Sequence, residues 1–415
     1  GCVFAARCPF AEERCRTDRQ EIVEADGRRL RCWKASALAD TPWPGTKPAS
    51  VSRDDWAESG AAPEPRAEGL TKIYSVPAPG GGIEWTRGWG GLPRLRWRRR
   101  PLRAVDNVSL RMGRGEVLGL VGESGSGKTT LGRMMVRLIE PTQGKLSFGG
   151  EDVTALAGSS LRRFRKMNQL VFQNPDSSLN PRRSIGDAIA RAVEIHSGLS
   201  AKERRTRVEE LLDMVGLPRR YYGRYPHQLS GGEKQRAGIA RALASEPSFI
   251  VCDEPVSALD VSVQATILNL LKDLRDQLGI AYLFISHDLS VVAHVADRIA
   301  IMYAGRICEE GPASAVLRPP HHPYTEALLS AVPFVEPAKG HQARITLNSD
   351  PKAMLRPAQG CVFANRCHRN LGAICSERAP PSRETADGHR IDCHIPLGDL
   401  EKTARVGPGA HATIA

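Results

Sequence analysis

The chain has 415 residues, 41% of them hydrophobic and 25% charged, and a formal net charge of +12. That length suffices for two or three domains with a sizeable core, but no apolar run approaches the roughly 18 residues that cross a bilayer, so any channel must be supplied by partners. The basic excess follows no nucleic-acid-binding pattern and no nucleic-acid partner is expected; with Gly1 in place of an initiator Met and no signal-like stretch, the chain reads as a fragment or a processed product.

Eight of the ten cysteines fall into two similar blocks. Gly1-Cys-Val-Phe-Ala-Ala-Arg-Cys8 recurs as Gly360-Cys-Val-Phe-Ala-Asn-Arg-Cys367, and the blocks continue as Cys2, Cys8, Cys15, Cys32 and Cys361, Cys367, Cys375, Cys393. Each final Cys follows an Ala-Asp-Gly turn, so the repeat predicts two copies of one small module. Thiol sets in a chain without export signals argue for a metal or cluster over disulfides. The wide gaps fit neither a zinc ribbon nor a ferredoxin run, and spacing leaves zinc, an iron–sulfur cluster and metal-free thiols open. Cys252 and Cys308, in apolar strand-like context, are expected in the core.

Residues 35–68, rich in Pro, Ala, Ser and acids, read as a flexible linker with a reach on the order of 30 Å. Further on, Arg94, Arg96, Arg98, Arg99, Arg100 and Arg103 crowd one segment with Trp85, Trp89 and Trp97 nearby. A solvated hairpin insertion is expected, with contact to anionic lipid or a membrane partner as the alternative. Val105 to Met112 alternates as a strand, and Glu116 to Val121 reads as a buried one.

That strand delivers Gly122-Glu-Ser-Gly-Ser-Gly-Lys-Thr129, which fits the phosphate-loop pattern G-x-x-x-x-G-K-[ST]. Gly122, Glu123, Ser124, Gly125, Ser126, Gly127, Lys128, Thr129 and Thr130 are thus the expected phosphate cradle. Lys128 reaches the β and γ phosphates, and the Thr129 hydroxyl ligates Mg²⁺. Leu131, Met134, Met135 and Leu138 predict a following helix through Glu140, whose positive end faces the anion. Downstream, Ser200 and Glu203 form a capping box for a helix through Val208, Leu211, Leu212 and Val215, ended by Gly216. The strand Phe249-Ile-Val-Cys-Asp253-Glu254 presents two carboxylates: Asp253 for the metal shell, Glu254 as a general base for the attacking water. Ile267, Leu270, Leu271, Leu274 and Leu278 mark a helix. Ile280 to Ile285 then forms a strand ending at His287, at the edge where open α/β sheets put their ligand chemistry.

The sequence Leu229-Ser-Gly-Gly-Glu-Lys-Gln-Arg236 resembles the signature of the ATP-binding cassette (ABC) ATPases. The other family motifs follow in order: Gln173 resembles the Q-loop, Ser257-Ala-Leu-Asp260 the D-loop, His287 the switch histidine, and Tyr74 the aromatic that stacks on adenine. The resemblance implies an α/β fold, a P-loop ABC ATPase core of mixed sheet and helices, with a helical subdomain inserted at about 174–228 and small cysteine-rich C-terminal modules. It implies ATP as substrate and Mg²⁺ held by Thr129, Gln173 and Asp253, with Glu254, His287, Lys128 and Gln173 catalytic. Ser230, Gly231, Gly232 and Asp260 would close over nucleotide held by a second cassette, so that two cassettes sandwich two ATP molecules.

Longer phrases are similar to the ATPases of the dipeptide/oligopeptide permease family: Gln173-Asn-Pro-Asp-Ser-Ser-Leu-Asn-Pro-Arg182, Tyr225-Pro-His-Gln228, Pro255-Val-Ser-Ala-Leu-Asp-Val-Ser-Val263 and His322-Pro-Tyr-Thr-Glu-Ala-Leu-Leu-Ser-Ala331. They imply ATP-driven import of di- or oligopeptides or a related small solute such as nickel. The implied partners are two integral membrane permease subunits, a second cassette, fused or separate, and indirectly an extracellular solute-binding protein. The implied place is the cytoplasmic face of the cell membrane. Some members bind a [4Fe–4S] cluster in the cysteine-rich tail, which implies a cluster on Cys2, Cys8, Cys15 and Cys32, on Cys361, Cys367, Cys375 and Cys393, or on both sets.

Such a tail normally ends a cassette. Residues 1–34 are therefore expected to close a preceding cassette, with 35–68 the linker, 69–320 the present cassette, 321–396 its C-terminal region with the second module, and 397–415 a disordered tail. The rival reading, a soluble ABC ATPase acting on ribosomes or nucleic acid, lacks the coiled coil, internal zinc module and ferredoxin-type cysteines it would call for.

Overall fold

In the first unit of the chain, residues 1–60, a short helix α1 (Glu13–Thr17) precedes an antiparallel hairpin of β1 (Val23–Ala25) and β2 (Arg28–Leu30). The second unit, residues 61–415, holds everything else. This computed structural model describes residues 1–2, 5, 8, 10–18, 20–25, 28–34 and 37 of the first unit, and 64–77, 83–87, 93–97, 99–332, 345–347 and 359–402 of the second.

Two sheets organise the second unit. Strand β3 (Pro65–Pro77) opens it, so ordered structure starts inside the expected linker. The hairpin β4 (Ile83–Arg87) and β5 (Pro93–Trp97) follows, and then β6 (Arg99–Arg111) returns antiparallel to β3. The expected insertion is thus a hairpin in its backbone, while the side chains of Trp85, Trp89, Arg94, Arg96, Trp97 and Arg98 lie outside the described residues. After β7 (Val117–Val121) and helix α2 (Lys128–Met135), β8 (Gln143–Phe148) and β9 (Glu151–Asp152) complete a four-stranded sheet in the order β6-β3-β8-β9. Helix α2 is shorter than its apolar spacing suggests. Arg137 adopts a left-handed φ of 55°, which ends the helical path and leaves Leu138 48% exposed.

The larger sheet is built from β7, β10 (Asn168–Val171), β11 (Phe249–Asp253), β12 (Ala281–Ser286), β13 (Arg298–Tyr303) and β14 (Arg306–Pro312). Its first five strands, in the order β10-β11-β12-β7-β13, run parallel, and β14 turns back antiparallel. Every residue of β7, β11 and β12 is buried, as parallel strands covered on both faces require. Between β7 and β11 lie α3 (Gly158–Met167), α4 (Pro175–Ser178), α5 (Ile185–His196), α6 (Ala201–Met214) and α7 (Gly231–Leu243). Ser200 and Glu203 make the expected capping box on α6, and Gly216 turns out of it at a φ of 66°. In α8 (Val261–Leu278) the buried face is Ile267, Leu268, Leu271 and Leu274, while Leu278 is exposed.

The chain then passes through α9 (Leu289–Val295), α10 (Ala313–Val316), α11 (Pro323–Ser330) and α12 (Ala373–Glu377) to the hairpin β15 (Ser382–Glu384) and β16 (Arg390–Asp392). Strand β16 pairs with β14, so the C-terminal cysteine module adds the last two strands of the main sheet. The segment after Pro396, expected to be disordered, begins with helix α13 (Leu397–Lys402); its Leu400 is buried against Ile391, Cys393 and Ile395.

The sequence repeat is also a repeat of backbone hydrogen bonds. Cys2 N–H donates to Cys15 O (2.6 Å) and Ala5 N–H to Cys2 O (3.1 Å); Cys361 N–H donates to Cys375 O (2.8 Å) and Ala364 N–H to Cys361 O (3.1 Å). A side chain at Gly360 would meet Cys375 O at 2.5 Å, and one at Gly1 would meet Arg16 O at 2.2 Å. Both blocks therefore open on Gly because the chain there crosses the end of a helix at backbone contact.

Candidate active site

The register of the parallel strands assembles the site. Val171 pairs with Cys252, Cys252 with Phe284, and Ser286 with Val121. Just past these partners the strands end in Gln173, Glu254, His287 and Gly122, so four distant segments of sequence leave one carboxyl edge of the sheet side by side. Glu254 N–H donates to Ile285 O (3.0 Å), which extends the β11–β12 ladder by one bond, and its φ of 46° turns the carboxylate toward the edge. A non-glycine residue in that region stores backbone strain, held here by the ladder.

Glu254 is the hub. Gln173 Nε2 donates to its Oε2 (2.8 Å), and His287 Nδ1 lies 3.5 Å from its Oε1. These three residues line a cavity of about 440 Å³ together with Glu123, Ser124 and Leu328. On the phosphate-loop side, Thr129 Oγ1 donates to Asp253 Oδ1 (2.9 Å), and Lys128 Nζ donates to Gly122 O (2.7 Å) and Glu123 O (2.9 Å). Burial pushes the Lys128 ammonium below its ordinary value, opposed by the Glu254, Asp253 and Glu123 carboxylates. Burial also raises Asp253, opposed by the Thr129 hydrogen bond and Arg133. Gly127 starts α2 at a φ of 107°, and a Cβ there would lie 2.2 Å from Ala104 O. The loop thus rests against the β6 backbone, and Gly127 turns it into the start of α2, the end of a helix that favours an anion.

The other expected nucleotide contacts lie outside this cavity. Ser230 caps α7 through a box with Glu233, which leaves Gly231 and Gly232 in the first turn of that helix; Asp260 is the N-cap residue of α8. Tyr74 sits on β3 with the Lys72 ammonium 5.4 Å from its ring centroid. Three neighbours of the phosphate loop were given no role at the site from sequence, although Tyr324 and Leu328 lie in the permease-like phrase 322–331. Leu328 of α11 lines the cavity, Tyr324 OH accepts a hydrogen bond from Glu123 N–H (2.7 Å), and Arg366 of the cysteine module binds the Glu123 carboxylate. The signal for Arg366 and its neighbour Phe363 was present, because both blocks of the repeat contain the same Phe and Arg.

Comparison with known proteins decides the family. The ABC transporter profile matches residues 105–257, and that of the oligopeptide/dipeptide transporter C-terminal region matches 308–375. The oligopeptide transport ATP-binding protein AppF of Bacillus subtilis is 46% identical over 296 residues, 71% of this chain and 90% of its own length. The chain belongs to the ATP-binding proteins of the oligopeptide/dipeptide ABC transporters. A protein of Brucella ovis named for peptide import is 48% identical over 292 residues, 70% of this chain and 92% of its own. Two dimeric structures of the ABC cassette MJ0796 superpose over 60% of the chain: a post-hydrolysis state bound to ADP and Pi (28% identity, TM-score 0.51) and a second dimer (30%, 0.50). The fold is accordingly that of an ABC ATPase, an enzyme that uses ATP and Mg²⁺.

The cysteine modules are where an iron–sulfur cluster was expected. Burial raises the Cys361 thiol to about 11 and that of Cys367 to about 12, and Cys393, Cys361 and Cys375 all lie near enough to add to the Cys367 shift. Convergence is not ligand geometry. Among the described residues no group of three or more His, Cys, Asp or Glu side chains is placed to hold a metal ion. The residues as they stand do not fit a cluster.

Proposed function

We propose that this chain is the energy-coupling subunit of an importer for di- or oligopeptides or a related small solute. The observation that carries the reading is the meeting of Gln173, Glu254 and His287 beside the phosphate loop, in a chain whose relatives are named for peptide transport. Glu254, held from both sides, is the general base for the water that attacks the γ phosphate, and His287 faces the same phosphate. Lys128 and the loop amides neutralise and orient the phosphates. Thr129 and Asp253 would hold Mg²⁺ with Gln173, an oxygen set suited to a cation that also binds substrate phosphates. When bound, Mg²⁺ would supply neutralisation of the phosphate charge.

Ser230, Gly231, Gly232 and Asp260 complete the site of a second cassette, which accounts for their place outside this chain's own cavity. Tyr74 stacks on adenine. Among the described residues no helix is long and apolar enough to cross a membrane, so two permease subunits provide the path and the ATPase docks on their cytoplasmic side. The face near Asn174 to Arg182 receives them, and the Lys234–Asp176 ion pair (2.6 Å) ties that segment to the signature helix α7. An extracellular binding protein supplies the solute. The first cysteine module belongs to a preceding cassette, joined through the segment before Pro65. A [4Fe–4S] cluster would require the module thiols to rearrange, which iron and acid-labile sulfide assays on anaerobically purified protein test directly.

The functional test is uptake. Proteoliposomes containing this chain, its second cassette and both permease subunits should accumulate labelled peptide only with ATP and Mg²⁺; failure of the chain to assemble with any permease pair, together with bound RNA after purification, would favour the ribosomal reading.

A further inference from the structure

The phosphate loop is held from outside the cassette core. Glu123, its second residue, donates its N–H to Tyr324 OH (2.7 Å) on α11, and both its carboxylate oxygens bind Arg366: Nη1 to Oε2 at 2.6 Å and Nη2 to Oε1 at 3.1 Å. The guanidinium is almost fully buried, with its side chain 7% exposed, whereas Glu123 is 31% exposed toward the cavity. Arg366 Nη1 also donates to Tyr303 OH (3.3 Å). Phe363, one helical turn before it, packs on Tyr303 and Tyr324 with ring centroids 5.1 and 5.3 Å away. Arg366 thus leaves a rigid aromatic seat in the planar two-bond geometry that Arg and carboxylate share.

An acidic residue at this place needs an explanation, because the loop exists to bind polyanions. Unpaired, the Glu123 carboxylate would repel the phosphates; paired, it becomes a neutral anchor that fixes the loop at its first turn. From this geometry we infer that Arg366 is a positioning residue of the ATP site, and that the C-terminal cysteine module is thereby a working part of that site. The inference rests on the ATPase reading above. Lys would keep the charge and lose the fork, so it should rescue only in part.

The test is a double-mutant cycle on the full chain, read as the KM for ATP and as kcat. Arg366→Ala should raise KM at least about fivefold, the lower end of common coupling between sites, with kcat changing less, and Arg366→Lys should fall between. In a Glu123→Gln background the same Arg366→Ala change should move KM by less than about twofold, since no charge is left to neutralise. An unchanged KM in the Arg366→Ala protein overturns the inference. So does an equal rise in the Glu123→Gln background, which would assign Arg366 to folding of the module alone. Absence of ATP turnover in the unmodified chain would instead strike the ATPase reading, and nucleotide affinity measured with a fluorescent ATP analogue would still decide the role of Arg366 on the same cycle.

Discussion

The two cysteine modules share a sequence and a backbone hydrogen-bond pattern but not an environment. Cys2, Cys8, Cys15 and Cys32 are half-buried, whereas in the second module Cys361, Cys375 and Cys393 are buried and only Cys367 is half-buried. The difference lies in what surrounds each copy. The second module pairs β16 with the otherwise open edge of β14, places Phe363 among Tyr303 and Tyr324, and joins its His389 to the buried Glu309 of β14 (2.7 Å). The cysteine-spaced module, read through its fourth Cys, is enough to encode a turn, a helix and a hairpin; burial requires a sheet edge and an aromatic seat.

Removing the anchor should produce the largest effect. Phe363→Ala should cost about 3–5 kcal/mol, the range for a fully buried Phe, read as a loss of denaturation midpoint at constant m-value; a change under about 1 kcal/mol would mean that the module is not welded to the cassette. Thiol chemistry sharpens the contrast next. With its thiol raised to about 11, Cys361 should alkylate up to roughly 100-fold more slowly at pH 8 than an unshifted thiol. Peptide-resolved labelling should find the first module's cysteines modified well before Cys361, and equal rates would erase the distinction.

A smaller effect follows from pH. Burial lowers His322 from 6.5 to about 4, and its Nδ1 accepts the Tyr324 N–H at the start of α11 (3.1 Å). The unfolded chain therefore binds a proton that the folded chain refuses between those values, so stability is full above pH 6.5 and falls as pH drops toward 4. The loss should reach roughly 2 kcal/mol at pH 5, and His322→Asn, which keeps a capping acceptor, should flatten it. Smallest of all should be Lys34→Ala in the first module. The Lys34–Glu12 ion pair is solvent-exposed, and such pairs contribute little, so thermal melting should not shift measurably.

Much of this molecule was legible in its sequence. The phosphate loop, the Asp253-Glu254 strand end and the capping box at Ser200 are local patterns whose residues make their own structure, and they stand where spacing put them. The union of Gln173, Glu254 and His287 was only ordered in sequence; parallel strand register made it spatial. What escaped was non-local. Nothing near Glu123 announces that its partner lies at Arg366, and no periodicity reveals that β16 extends the cassette sheet. Leu400 was hidden because one buried Leu in a polar helix carries no pattern. Helix α2 was overrun because Leu138 continues the apolar spacing past the left-handed turn at Arg137.

The most direct test of the central claim, hydrolysis of ATP at this strand edge with Glu254 as base, is steady-state turnover beside nucleotide binding in the Glu254→Gln protein. Turnover should fall by roughly 10² to 10⁴-fold while ATP remains bound with Mg²⁺; turnover within a fewfold of the unmodified chain would contradict the assignment and move the base elsewhere on the edge.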